Sequence, residues 1–285
     1  MNTSGAFRLS HRLAWGSLIL AAIAAAAGLF IPELYRDGEG WVRQARASDV
    51  TTLAAAVPIL AVALWRAARG SRLATLVTAG VLAYLVYGYA IFAFSVSVNA
   101  MTPLHYAILG MATWSLGLSL PTLLSEGADA VPRLPRRTSG IFLVGVAVLF
   151  GLLWMSQIVG SIISGEPAPA LAGLGLTTNP VWALDLAFAL PAFVVAGLLL
   201  LRNRPIGRFV ALPLLVFAGI MGASILVIFG FDAIAGAPLD PVSVTLIGGI
   251  VAIATGLSVK GVTASSHAPV DHRGHHIPGT PLRGT

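Results

Sequence analysis

FVALPLLVFAGIMGASILVIFGF, residues Phe209 to Phe231, runs for 23 residues without a charged side chain. At about 1.5 Å of rise per residue such a helix is roughly 35 Å long, enough to cross about 30 Å of hydrocarbon. In lipid no water is available to backbone N–H and C=O groups. A single segment satisfies them all only as an α-helix. The apolar residues do not alternate with polar ones, as strands of a membrane β-barrel require.

Working outward, seven more stretches read the same way: Leu13–Pro32, Val50–Trp65, Leu73–Phe94, Pro103–Leu124, Gly140–Ile163, Pro180–Leu201 and Pro241–Val259. The second is short unless it begins near Gln44. The sequence therefore predicts an all-α polytopic bundle of eight transmembrane spans over residues 1–260. Composition agrees: 57% of the 285 residues are apolar and 10% charged, against about 25% charged in soluble domains. Mean hydropathy is +0.88. A soluble enzyme, a disordered chain and a fibrous chain are excluded.

The basic residues set the orientation. Arg8 and Arg12 precede the first span, and Arg66, Arg69 and Arg72 follow the second. Arg133, Arg136 and Arg137 lie between the fourth and fifth, and Arg202, Arg204 and Arg208 between the sixth and seventh. Lys260, Arg273 and Arg283 follow the eighth. The opposite side holds only Arg36, Arg43 and Arg46, among Glu33, Asp37, Glu39 and Asp49. Both termini are thus expected in the cytoplasm. The arginine-, alanine- and glycine-rich composition points to a bacterial inner membrane. The first apolar run exceeds the 7–15 residues of a signal-peptide core, so it is read as a retained helix. Basic residues split among loops make no nucleic-acid patch. The lipid bilayer is the expected partner, and oligomeric state is not legible.

The chain has no cysteine, which excludes disulfides and thiolate chemistry. Residues 261–285 are polar and rich in proline and glycine, and read as a disordered cytoplasmic tail. His267, His272, His275 and His276 fall in it. A solvated tail is the preferred reading over a metal site, because zinc requires ligands on a fixed scaffold. No nucleotide, metalloprotease or serine-hydrolase motif is present, and nothing in the sequence calls for a cofactor or metal.

Asp49–Arg72 and Asp185–Arg208 align without gaps at an offset of 136, pairing Asp49 with Asp185, Arg66 with Arg202 and Arg72 with Arg208. This suggests two four-helix repeats, with halves at 1–130 and 138–260, related by an axis along the membrane normal. Positive-inside bias alone accounts for part of the match.

Asp185 leads the candidate site, since an ionisable residue inside a span is a functional hypothesis by default. Asn179 and Pro180 read as a helix start, which puts Asp185 about 7–8 Å into the membrane. Tyr84, Tyr87, Asn99, His105 and Gln157 reach a similar depth. With Asp185 and Asn179 they are expected to line one outward-facing polar pocket for a small solute or cation. His105 would add proton chemistry near neutral pH. The competing reading is structural: belt aromatics, and Asp185 as hydrogen-bonded glue between helices. Small-residue rows at Gly248, Ala252 and Gly256, and at Gly219 and Ala223, are expected to pack helices closely. Pro58, Pro121, Pro191 and Pro213 are expected to kink theirs.

YLVYGYAIFAF (Tyr84–Phe94) followed by Asn99, together with TTNPVWALDLAFALPA (Thr177–Ala192), resembles a group of bacterial multi-pass membrane proteins to which no activity is assigned. The resemblance implies no catalytic residues. It singles out Asn99, Asn179, Pro180 and Asp185 as a set. Three functional classes follow from the sequence: a carrier or binding protein for a small solute or ion, a non-transporting accessory subunit, and a lipid-directed enzyme using His105 and Asp185 as an acid–base pair.

Overall fold

The computed structural model describes residues 3–125, 132–171 and 174–266. Among these residues are eight long helices and no strand. They are α1 (Thr3–Phe30), α2 (Glu39–Ala67), α3 (Arg72–Ser95), α4 (Thr102–Ser125), α5 (Arg136–Ser164), α6 (Pro180–Leu201), α7 (Pro205–Ile234) and α8 (Pro241–Ser266). Seven of them are long and apolar enough to cross a membrane. The exception is α4. It is as long as α3 but more polar, with His105, Tyr106, Thr113, Ser115 and Ser119 along it. The architecture is that of a multi-pass helical membrane protein.

Local chemistry fixes the helix ends. The Ser71 hydroxyl accepts from the N–H of Ala74 at the start of α3, and the Asn179 amide oxygen accepts from Val181 at the start of α6. Asp240 accepts from the backbone N–H and the hydroxyl of Ser243 at the start of α8. Those bonds hold the Asp240 carboxyl below its usual range. α5 stops at Gly165, whose φ of +71° is the left-handed cap that favours glycine.

α3 and α7 form the centre. α3 packs on α2, α4 and α7, while α7 packs on α2, α3, α6 and α8. α1 lies over α4 and α2, and α5 lies over α6. The apolar stretch of α3 is 67% buried and that of α5 only 17%, so α5 presents most of its apolar surface outward, as a helix facing lipid does. Where α3 crosses α7, Gly80 lets the backbones meet: a β-carbon there would stand 2.6 Å from the Pro213 carbonyl oxygen. Between α1 and α4, the hydroxyls of Ser10 and Ser115 each donate to the other's carbonyl at 2.8 Å, satisfying polar groups across a helix pair.

Three expectations need correction. The second span does not begin at Val50 or Gln44, because α2 starts at Glu39. Its polar first third is held by partners: Arg43 Nε to Asp232 on α7 at 2.8 Å, and Asp49 to Tyr35 at 2.6 Å. The polar tail does not begin at residue 261, since α8 continues to Ser266 with Gly261 against Leu134 and Leu212. The rest of the tail, including its four histidines, lies outside the described residues. In α8 the row of Gly248, Ala252 and Gly256 is not a packing seam within the chain. A β-carbon at either glycine meets nothing, because α8 turns its buried residues Ile247, Ala254 and Leu257 inward. Gly219 does approach α8 closely, against Thr255.

Two prolines do something more specific than kink a helix. α2 is interrupted by a π-turn at Thr52–Ala56 just before Pro58, and α6 by one at Asp185–Ala189 just before Pro191. Proline has no N–H and its ring collides with the carbonyl of residue i−4. The wider π-turn takes up that conflict, and such bulges recur at functional sites. The turns and their prolines lie 133 residues apart, three fewer than the sequence alignment gives. In that register Thr52, not Asp49, corresponds to Asp185.

Candidate functional site

Trp41 on α2 donates its indole N–H to the carbonyl of Ser95 at the end of α3 at 2.8 Å. With the Arg43–Asp232 pair, this brings the start of α2 to the ends of α3 and α7. From this Glu39 end a cavity of about 170 Å³ reaches into the bundle, walled by α2, α3, α5, α6, α7 and α8. Along α2 it extends from Trp41 to Thr52, roughly 16 Å at 1.5 Å per residue. Its size resembles that of apolar cavities that admit benzene, about 150 Å³.

Among the described residues, Asp185 is the only charged one in the lining. The carboxylate is held from two sides: Tyr87 donates to Oδ1 at 2.9 Å and Trp154 donates its indole N–H to Oδ2 at 2.7 Å. Both donors are neutral. An ionised carboxylate has about four acceptor positions, so these two bonds leave capacity for a guest. Thr52, at the head of the other π-turn, meets the Tyr84 hydroxyl at 3.3 Å, and Ser224 on α7 faces that hydroxyl too. Each π-turn thus offers a polar side chain to a tyrosine of α3, and those tyrosines stand three residues apart on one helix face.

The remaining wall is apolar and strongly aromatic. Nine of the thirty lining residues are Phe, Tyr or Trp. Around Asp185, Tyr87 meets Phe217 edge-on at 5.6 Å, and Phe217 meets Phe193 at 6.0 Å. On the far side Trp154 lies against Phe150 at 5.7 Å. The two edge-on contacts suit the ring quadrupoles and fix Tyr87, Phe217 and Phe193 beside the acid.

Of the residues the sequence proposed, Asp185, Tyr87 and Tyr84 come together here. The others do not belong to the lining. Asn179 spends its amide oxygen capping α6. Asn99 shapes the turn before α4, accepting from the N–H of Met101 and donating to the carbonyl of Ser97. Gln157 lies half-buried on α5 beyond the cavity wall. His105 is 2% exposed and packs behind the rings of Phe92 and Tyr89, at 4.9 and 5.8 Å. Those rings separate it from the cavity, and α4 packs on α1 and α3 rather than on α6. An acid–base pair of His105 with Asp185 is not formed.

Asp49 belongs to a separate cluster. It accepts from Tyr35, in the connection between α1 and α2, and both press on Gly28 of α1, where a β-carbon would collide with them. Burial, then the neighbouring carboxylate, raises the Tyr35 hydroxyl well above the usual phenol range and keeps it a donor. This cluster fastens α2 to α1.

Sequence reasoning missed Trp154 and Thr52. Trp154 had a signal: a buried indole N–H usually finds an acceptor, and few acceptors exist at its depth. Thr52 had none, because a threonine in a helix ordinarily bonds its own backbone.

No family model, curated protein or solved structure matches the chain.

Proposed function

We propose that this chain is an eight-span protein of the bacterial inner membrane, with both termini in the cytoplasm, that binds or carries a small solute in the cavity around Asp185. α4 counts as the eighth span by its length and by its place between α1 and α3. The arginine clusters at the start of α1, at the end of α2, at the start of α5 and after α6 outnumber Arg36, Arg43 and Arg46 at the other end, and under the positive-inside rule the end they mark is the cytoplasmic one. The Glu39 end then faces outward, and lipid covers the exposed apolar faces of α5 and α8.

One observation carries the reading: a single carboxylate, inside a membrane helix, borders a cavity large enough for a small molecule. A fully packed bundle has no need of that volume, which leaves wall atoms without partners. The matching π-turns and prolines of α2 and α6 support a tandem duplication whose two halves each give one polar side chain to the site, as in transporters built from parallel repeats.

A second reading rests on the same carboxylate. Its bonds to Tyr87 and Trp154 tie α3, α5 and α6 together, as a brace in an accessory subunit would. Thermal unfolding of the purified chain with a panel of small solutes separates the two. A binding protein is stabilised by its solute, about 2.7 kcal/mol at one hundred times Kd, and Asp185→Asn stays folded but loses that response. A brace gives no solute response in the native chain, and Asp185→Asn lowers its unfolding midpoint.

A further inference from the structure

We propose that the occupant of the Asp185 cavity is a small organic ammonium cation, recognised by the carboxylate and by the ring faces around it; this rests on the binding reading above. Four features of the cavity point there together. First, its one charge among the described residues is negative, and no described Arg, Lys or His lines it. An anionic solute would meet repulsion with no compensating group. Second, the donors that hold Asp185, Tyr87 and Trp154, are neutral, whereas Asp232 on α7, outside the lining, already has Arg43. Asp185 is the acid whose counter-charge the chain does not supply from the lining.

Third, the surroundings of the acid are wrong for a bare metal ion. Calcium takes six to eight oxygen ligands and magnesium an octahedron. Beside Asp185 stand Phe150, Trp154, Phe193 and Phe217 instead, and the described residues contain no group of three acidic, histidine or cysteine side chains. Ring faces attract a cation whose charge is spread over carbon-bound nitrogen, and they do so most strongly where water is excluded. Fourth, the volume of about 170 Å³ is close to that of cavities that admit benzene, which suits a small organic cation. The Tyr87 hydroxyl donates to the acid, so its oxygen remains an acceptor for a guest N–H. An ammonium carrying one or two hydrogens is therefore accommodated along with a quaternary one.

The test uses the full chain, purified in detergent. Benzyltrimethylammonium is titrated against intrinsic tryptophan fluorescence, to which Trp154 at the site contributes, and its neutral isostere neopentylbenzene is titrated beside it. The proposal expects saturable binding of the cation, weaker binding of the isostere, and a loss of at least about 30-fold for the cation in Asp185→Asn, the scale for losing one partner of a buried charge pair. Phe217→Leu, which keeps the charge and removes one ring face, is expected to weaken the cation more than the isostere. It stands in if Asp185→Asn does not fold. Equal binding of cation and isostere, unchanged in both variants but lost when the cavity is filled by Gly88→Leu, overturns the ligand class and leaves the binding site standing. Absence of binding by both probes, with wild type and Gly88→Leu indistinguishable, overturns the proposal together with the reading beneath it.

Discussion

Gly88 lies on α3 in the wall of the cavity, and a β-carbon built there meets no atom within 4 Å. Replacing it with leucine tests whether that space is real. The side chain adds four carbons, worth about 0.8 kcal/mol each on burial, or about 3 kcal/mol. Removing glycine from a helix interior adds roughly 0.8–1 kcal/mol. Ordering the leucine costs about 0.5–1 kcal/mol. Detergent already shields apolar groups in the unfolded chain, so only part of the transfer gain survives. The expected net is a stabilisation of about 1–2 kcal/mol, with ligand binding lost. Chemical unfolding in detergent measures the first and the cation titration the second. Gly110→Leu is the control: it also meets open space, but on α4 away from the cavity, so it should gain helix propensity and leave binding intact. Destabilisation of Gly88→Leu by more than about 1 kcal/mol would mean that leucine strikes a wall, and the cavity as described would be refuted.

Two further glycines make predictions of opposite sign. Gly80→Ala places a β-carbon 2.6 Å from the Pro213 carbonyl oxygen and 2.7 Å from the Val216 β-carbon; α3 and α7 must part, and a loss of about 1–3 kcal/mol is expected, read as a lower unfolding midpoint. Gly28→Ala drives into the Tyr35–Asp49 pair. It should destabilise the α1–α2 contact while leaving cation binding within about twofold, since the pair lies outside the Asp185 cavity; a loss of binding as large as that of Asp185→Asn would show that the two clusters are one site.

The fold was legible because lipid makes long apolar runs unambiguous, and every run named from the sequence became a helix. What escaped was what polar residues do at the ends of those runs. Arg43 and Asp49 lowered the hydropathy of the start of α2 and hid it, because their partners Asp232 and Tyr35 come from other segments. Asp185, Tyr84 and Tyr87 were legible as a site through depth alone. Asn99 and Asn179 stand at the outer ends of their helices close to that level, yet their amides serve the local backbone, and position cannot tell a cap from a ligand. His105 is set apart only by the rotation of α3, which interposes Tyr89 and Phe92. The π-turns follow from proline, but a proline in sequence predicts a kink as readily as a bulge. The 136-residue alignment was drawn to Asp and Arg, residues that topology places at span ends in any case, whereas the π-turns and their prolines recur at 133.

The central claim is that Asp185 borders space a solute can reach, not a sealed joint between helices. The chain has no cysteine, so Asp185→Cys introduces a single thiol, with Gly38→Cys as a control in the connection before α2. Intact cells expressing each variant are treated with a small membrane-impermeant thiol reagent, and labelling rates are compared. The account predicts that the thiol at position 185 labels at a rate comparable to the control. Labelling of the control alone, under conditions where both variants are folded and present in the membrane, would contradict it.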